Sequence, residues 1–109
     1  MKKKMPRNRK PTADDFCAVC GKPYAEQHEV FYGNNRENSQ RHCTTVRLCA
    51  EHHRHDKEIS PHLNPKGSFN KMLREQAQRG FENRQIKKGM TEDEARSEFI
   101  RIFGRNYLY

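Results

Sequence analysis

Leu48-Cys49-Ala50-Glu51-His52-His53 is the stretch on which the reading of this chain turns. Two residues separate Cys49 from His52, the interval at which both side chains of a knuckle reach one metal ion. Upstream, Cys17-Ala18-Val19-Cys20 has the same interval, and Gly21 and Pro23 suit the tight turn after it. Cys17, Cys20, Cys49 and His52 together supply three thiolates and one imidazole, an ordinary tetrahedral set for a structural zinc. The segment from Cys20 to Cys49 is long enough for a hairpin. His53 falls one residue past the last zinc ligand, beside the metal rather than on it. Cys43 lacks a partner at knuckle spacing and is expected to be a buried free thiol, with His42 beside it at the surface.

Composition explains why a metal is needed. Of 109 residues only 32% are hydrophobic and 33% are charged, so the core is small for the chain and calls for a staple. Four cysteines might instead make disulfides. The basic N-terminus is followed by no apolar run of the kind a secretory signal needs, so metal-bound thiolates in a reducing, cytoplasmic setting fit better. No run approaches the ~18 apolar residues that span a membrane. A formal charge of +8 makes an acidic polymer the expected partner, nucleic acid first among them. Nothing points to a small-molecule cofactor.

Along the chain, residues 1–15 read as a basic arm, rich in lysine and arginine and broken by Pro6 and Pro11. Residues 16–66 read as the zinc-bound core, and residues 67–109 as C-terminal helices packed on it. Within the core, Glu26 to Tyr32 predicts a strand, Gly33-Asn34-Asn35-Arg36 a turn, and Thr44 to Leu48 a second strand. That strand leads to a short helix carrying Cys49, His52 and His53. Residues 37–43 are weakly patterned, and Pro61 and Pro65 make 59–67 a loop. Ser68 is the expected N-cap of a helix whose apolar face is Phe69, Met72, Leu73, Gln76, Ala77, Gly80 and Phe81. Thr91 with Glu94 predicts a capping box, Ala95, Phe99, Ile102 and Phe103 a second stripe, and Gly104 a C-cap. The fold class is therefore α+β.

Five of the six histidines lie between positions 42 and 62. If the strands form a hairpin and the helix packs across it, His28 and His53 converge. A histidine pair with a carboxylate can hold a divalent ion, which would grip a phosphate oxygen. Arg36, Arg47 and Arg54 are candidate phosphate contacts, since a guanidinium forks onto phosphate.

The order C-x-x-C, then His28-Glu29-Val30-Phe31, then Leu48-Cys49-x-x-His52-His53 resembles the HNH endonucleases of the His-Me finger (ββα-metal) superfamily. The small HNH-like proteins of phage and prophage genomes are the most similar group. Gly33, Asn35-Arg36, His62, Asn64, Ala77-Gln78, Phe81-Glu82 and Ile102 to Leu108 carry the likeness further, so that it covers about residue 16 to the end. The resemblance implies a zinc-stapled ββα-metal core followed by two helices. It implies a metal-dependent endonuclease that hydrolyses DNA phosphodiesters with an activated water. The catalytic residues would be His28, Glu29, His53 and His62, with a divalent cation (magnesium, manganese or a transition metal) at His28, His53 and His62. By position His28 is the ligand and Glu29 the general base; by chemistry the two roles can exchange. The closing histidine matches His62 better than Lys57 matches it, and Thr44 stands near the place of the family's central asparagine. Two other functions remain open from the residues alone: a non-catalytic zinc-ribbon DNA-binding module, and an adaptor that uses the C-terminal helices against a partner protein.

Overall fold

Two short strands, β1 (Glu26–Glu29) and β2 (Thr45–Leu48), pair antiparallel, with His28 opposite Val46 and Glu26 opposite Leu48. A computed structural model describes residues 10–108, so most of the basic arm, residues 1–9, lies outside the described residues. The order is β1, a tight turn at Gly33–Asn35, α1 (Arg36–Arg41), β2, a wide turn at Glu51–His55, then α2 (Ser68–Lys87) and α3 (Glu92–Phe103). The protein is thus a small mixed α and β fold built on a two-stranded sheet. Among the described residues, no helix is long and apolar enough to cross a membrane.

The first strand ends earlier than its β-forming residues predict. Val30 still donates to the Thr44 carbonyl (3.1 Å), but the Phe31 N–H turns to the Ser39 hydroxyl (3.0 Å). Ser39 belongs to α1, a helix in the segment expected to be weakly structured. Arg-Glu-Asn-Ser-Gln-Arg has no apolar residue to make a stripe. Its neighbours hold it instead. Asn38 donates to the Ile102 carbonyl (3.1 Å), and Asn35 to that of Phe103 (3.0 Å), two of the carbonyls a helix leaves unsatisfied at its C-terminal end. The expected boundary at residue 16 also moves. Thr12–Asp15 form a turn whose carbonyls accept from Tyr24 (3.1 Å) and Ala25 (2.8 Å), so the folded part begins before Phe16.

The C-terminal helices follow the sequence in type, with two corrections. Ser68 is the first residue of α2 rather than its cap; the N-cap is Gly67. A Cβ at Gly67 would stand 3.1 Å from the Asn64 Cβ and 3.2 Å from the Asn64 carbonyl oxygen, so the close turn onto Asn64 favours glycine there. The buried face of α2 is also rotated. Met72 is 41% exposed and Gln76 lies outside, while Asn70, Gln78 and Glu82 are buried beside Leu73 and Phe81. The polar members are tolerated because each finds a partner. Gln78 donates to Glu82 (2.8 Å) and to Asn106 (2.8 Å) and accepts from the Tyr107 N–H (2.7 Å). Arg96 of α3 pairs with Glu82 (2.6 Å), and the Asn70 amide donates to the Pro65 carbonyl (2.8 Å).

Helix α3 begins at the expected box, with Thr91 and Glu94 exchanging bonds of 2.8 and 3.1 Å. It ends at Gly104, whose φ of 89° is the left-handed C-cap conformation. Ala95, Phe99 and Phe103 are buried and Ile102 partly so. Phe31 from the end of β1 meets Phe99 (5.4 Å between ring centres) and Phe103 (4.8 Å), and Phe81 of α2 meets Phe99 (5.5 Å). This aromatic core fastens the sheet to the helices. His42 is half-buried against Phe81 and Phe103 rather than on the surface. Cys43 is exposed rather than buried, at a turn where its φ is 61°.

Candidate metal centres

The residues 17–22 loop is closed by its own backbone. The Cys17 N–H donates to the Lys22 carbonyl (2.9 Å) and the Gly21 N–H to that of Cys17 (2.8 Å), with Gly21 at a φ of 77°. Ala18 donates to the Arg47 carbonyl (2.8 Å), which ties the loop to β2. Cys49 follows directly on β2, and His52 lies on the wide turn after it. All four ligand atoms of Cys17, Cys20, Cys49 and His52 lie within 4.8 Å of one another.

Their spacing suits zinc. Tetrahedral zinc, at the usual bond lengths, sets two thiolates about 3.8 Å apart and a thiolate and an imidazole nitrogen about 3.6 Å apart. The Cys20 and Cys49 sulfurs are 3.7 Å apart. The His52 Nδ1 stands 3.6 Å from the Cys17 sulfur and 3.3 Å from that of Cys49. All four cysteines are free of disulfides. Burial pushes the Cys17 thiol up, but hydrogen bonding from the backbone at Cys49, Cys20 and Val19 and from His52 outweighs it, leaving the pKa lowered to about 6. A thiol that ionises so readily is suited to metal ligation.

A second cluster lies beside the first. His53 follows His52, and successive residues of a helical turn point in different directions, so the pair face two different groups. The turn is wide, closed by the Asp56 N–H on the Glu51 carbonyl (2.7 Å). Such π-type turns are frequent at functional sites. The ring of His53 meets those of His28 (5.0 Å between centres) and His62 (4.7 Å), and His28 meets His62 at 5.1 Å. One nitrogen from each of the three lies within 4.8 Å of the others. The Nε2 atoms of His53 and His62 are 2.9 Å apart.

Each histidine is positioned differently. His28 comes from β1 and is 1% exposed. Neither of its ring nitrogens has a hydrogen-bond partner, a costly state for buried polar atoms. Burial, reinforced by His53, His62 and Arg74, lowers its pKa to about 3, so it keeps both the neutral form and a lone pair. His62 is also held below its ordinary value, by burial first and by His53, against an opposing pull from Glu29. The loop that delivers His62 is braced from within. Asp56 accepts from the Glu58 and Ile59 N–H groups (2.8 and 3.1 Å), and the Ser60 hydroxyl donates to the His53 carbonyl (2.7 Å). Asn64 donates to the carbonyls of Lys57 (2.8 Å) and Ser60 (3.2 Å). The Tyr32 hydroxyl donates to the Pro61 carbonyl (3.1 Å).

Glu26 completes the arrangement, and the sequence reading passed it over. Its Oε1 lies 2.7 Å from the His53 Nδ1, and Arg54 grips both its oxygens (3.1 and 2.7 Å). Burial raises the Glu26 pKa, but His53 and Arg54 more than offset this and leave it lowered. The signal was the period of two along β1, which sets Glu26 on the face of His28. A carboxylate on one imidazole nitrogen fixes the tautomer and turns the other nitrogen toward a metal. The orphaned nitrogens of His28, the facing Nε2 atoms and the carboxylate behind His53 all fit a bound divalent cation.

The other expected site residues are placed as follows. Glu29 is buried at the end of β1, accepting from Arg36 (3.2 Å) and Gln27 (3.2 Å). Arg47 donates to the Ala25 carbonyl (3.0 Å) and faces Asp15 (3.7 Å). The three arginines expected on phosphate, Arg36, Arg47 and Arg54, therefore each meet a carboxylate of the chain itself. The Thr44 hydroxyl donates to the Ser39 carbonyl (3.4 Å), on the α1 side of the sheet. His55 is exposed and belongs to neither cluster. No family model matches the chain, and no curated protein or solved structure matches it significantly.

Proposed function

We propose that this protein is a metal-dependent DNA endonuclease of the HNH type, with His28, His53 and His62 holding a divalent ion against a backbone phosphate. One observation carries the reading. A fully buried histidine, with neither nitrogen satisfied, meets two more histidines brought from separate parts of the chain. Ordinary packing rarely leaves both nitrogens of one buried imidazole without a partner. Cys17, Cys20, Cys49 and His52 are the structural zinc ligands in this reading, and the charge of +8 favours a polyanionic substrate.

When bound, the divalent ion supplies electrostatic stabilisation to the phosphoryl and leaving oxygens. The chain's own groups do the rest. Glu26 Oε1 keeps the His53 proton on Nδ1, so that Nε2 presents its lone pair. Burial holds His28 neutral, and three imidazole nitrogens as ligands favour a transition metal over magnesium. Glu29 follows His28 on β1 and leaves the strand from the other face, but it lies within electrostatic reach of His62, and in this reading it takes the proton of the attacking water. Arg36 and Gln27 hold its two oxygens in place. Loop Asp56–Asn64 keeps His62 against His53.

The test is a nicking assay on supercoiled plasmid with manganese, cobalt or magnesium, alongside metal analysis. The expected result is nicking, stronger with the transition metals. His53→Ala is expected to lose cutting while retaining one zinc per chain. Persistent cutting by His53→Ala would rule out the site, and retardation of DNA without cleavage by the intact chain would favour a zinc-ribbon binding module.

A further inference from the structure

Arg74, in the second turn of α2, was not among the residues the sequence singled out. Its guanidinium carbon lies 5.6 Å from the centre of the Tyr32 ring and 5.4 Å from that of Tyr107. The Tyr32 ring packs in turn on His62 (4.9 Å) and His28 (5.7 Å). The guanidinium is thus one aromatic ring away from the three-histidine cluster. The Arg74 Nε is buried and meets no acceptor. Among the described residues, no carboxylate pairs with Arg74.

The contrast with the other arginines is informative. Arg36, Arg47 and Arg54 face Glu29, Asp15 and Glu26, so binding a phosphate means competing with those carboxylates. Among the described residues, Arg74 has no such competitor. Arg105 is in the same position: its guanidinium carbon is 4.8 Å from the Tyr107 ring, and no carboxylate among the described residues pairs with it. Two like charges meet at the Tyr107 ring with no counter-charge from the described residues, an arrangement that an external anion would stabilise. The tyrosines also hold the Arg74 guanidinium in place, so less side-chain freedom is lost when it binds.

We propose that Arg74, stacked between Tyr32 and Tyr107, is a phosphate-binding side chain of the site, gripping the nucleic-acid backbone next to the phosphate at the histidine cluster, with Arg105 further along the strand. The identity of the polymer rests on the endonuclease reading. The demand for an anion rests on two guanidiniums with which no carboxylate among the described residues pairs.

The test measures binding of a short DNA duplex by fluorescence anisotropy across a salt series, with the zinc-loaded chain and no other metal. Arg74→Met keeps an apolar stem against the tyrosines, and Arg74→Lys keeps the charge but loses the fork. Losing one charge-assisted phosphate contact weakens affinity by about tenfold and reduces the salt slope by about one. Arg74→Met is expected to show both effects, and Arg74→Lys a smaller loss of affinity with a retained slope. In the wild type, the Arg74 Nε–H resonance is expected to shift on adding duplex, a readout that needs no variant to fold. An unshifted resonance, or an Arg74→Met chain with unchanged affinity and slope, overturns the proposal. Binding through Arg74 without any plasmid nicking leaves it standing and removes the cleavage reading. Nicking with Arg74→Met affinity unchanged does the reverse, and a wild type that binds no duplex removes both.

Discussion

The two ligand clusters sit side by side yet differ in nearly every physical respect. Cys17, Cys20, Cys49 and His52 form a complete set of four, three of them soft sulfurs, at spacings set by two short local turns. His28, His53 and His62 are three nitrogens from a strand, a wide turn and a loop. A metal on the first set would have its tetrahedron filled by the chain, whereas one on the second would keep coordination positions open. A zinc on the first would staple a chain with little apolar core. The second adds cost to the fold, because without a metal the His28 nitrogens stay unpaired. The difference separates a group that makes the structure from one that the structure carries.

That comparison breaks most visibly at Cys49. A structural zinc contributes an apparent ~10–16 kcal/mol in small zinc domains. Cys49→Ser is therefore expected to lose the metal, the cooperative thermal transition and the amide dispersion of β1 and β2. If Cys49→Ser melts as the wild type does, the four-residue cluster is not the staple. Glu26→Gln sharpens the other side. Removing the carboxylate behind His53 is expected to weaken cobalt binding at the three-histidine cluster by about 10–100-fold while the zinc content stays at one per chain. Competition titration against a chromophoric chelator reads this, and an unchanged cobalt affinity would show that Glu26 does not orient the ring. Thr91→Ala is the smallest effect and the control. Losing the cap of α3, with its two bonds to Glu94, is expected to cost about 1 kcal/mol in a thermal melt, with both metal contents unchanged.

The four-residue cluster was legible in the sequence because its geometry is local. A two-residue gap states the ligand pair wherever the chain goes. The three histidines could be named but not assembled by spacing, since the strand pairing and the braced loop at Asp56–Asn64 bring them together. The period of two places Glu26 on the face of His28, but its role depends on His53 and Arg54, which a distant turn brings to it. Helix α1 was illegible for a different reason. It has no apolar stripe, and its stability comes from Asn38 and Ser39 bonding to residues elsewhere in the chain. The face of α2 was misjudged because Gln78 and Glu82 are buried only once Asn106 and Arg96 arrive to pair with them. The partners of Arg36, Arg47 and Arg54 were hidden in the same way, as pairing across a fold is not written in neighbouring letters.

His52 and His53 are joined by a single peptide bond, and one faces the thiolates while the other faces the imidazoles. Chain length is therefore frozen at that link. An inserted or deleted residue there cannot be absorbed by a loop, because it would rotate one ring out of register with its group. The segment from Gly33 to Thr44 carries no ligand of either group, and its length is fixed for another reason, by the bonds of Asn35, Asn38 and Ser39 to the core. Variation among descendants of this chain should be absent from the link.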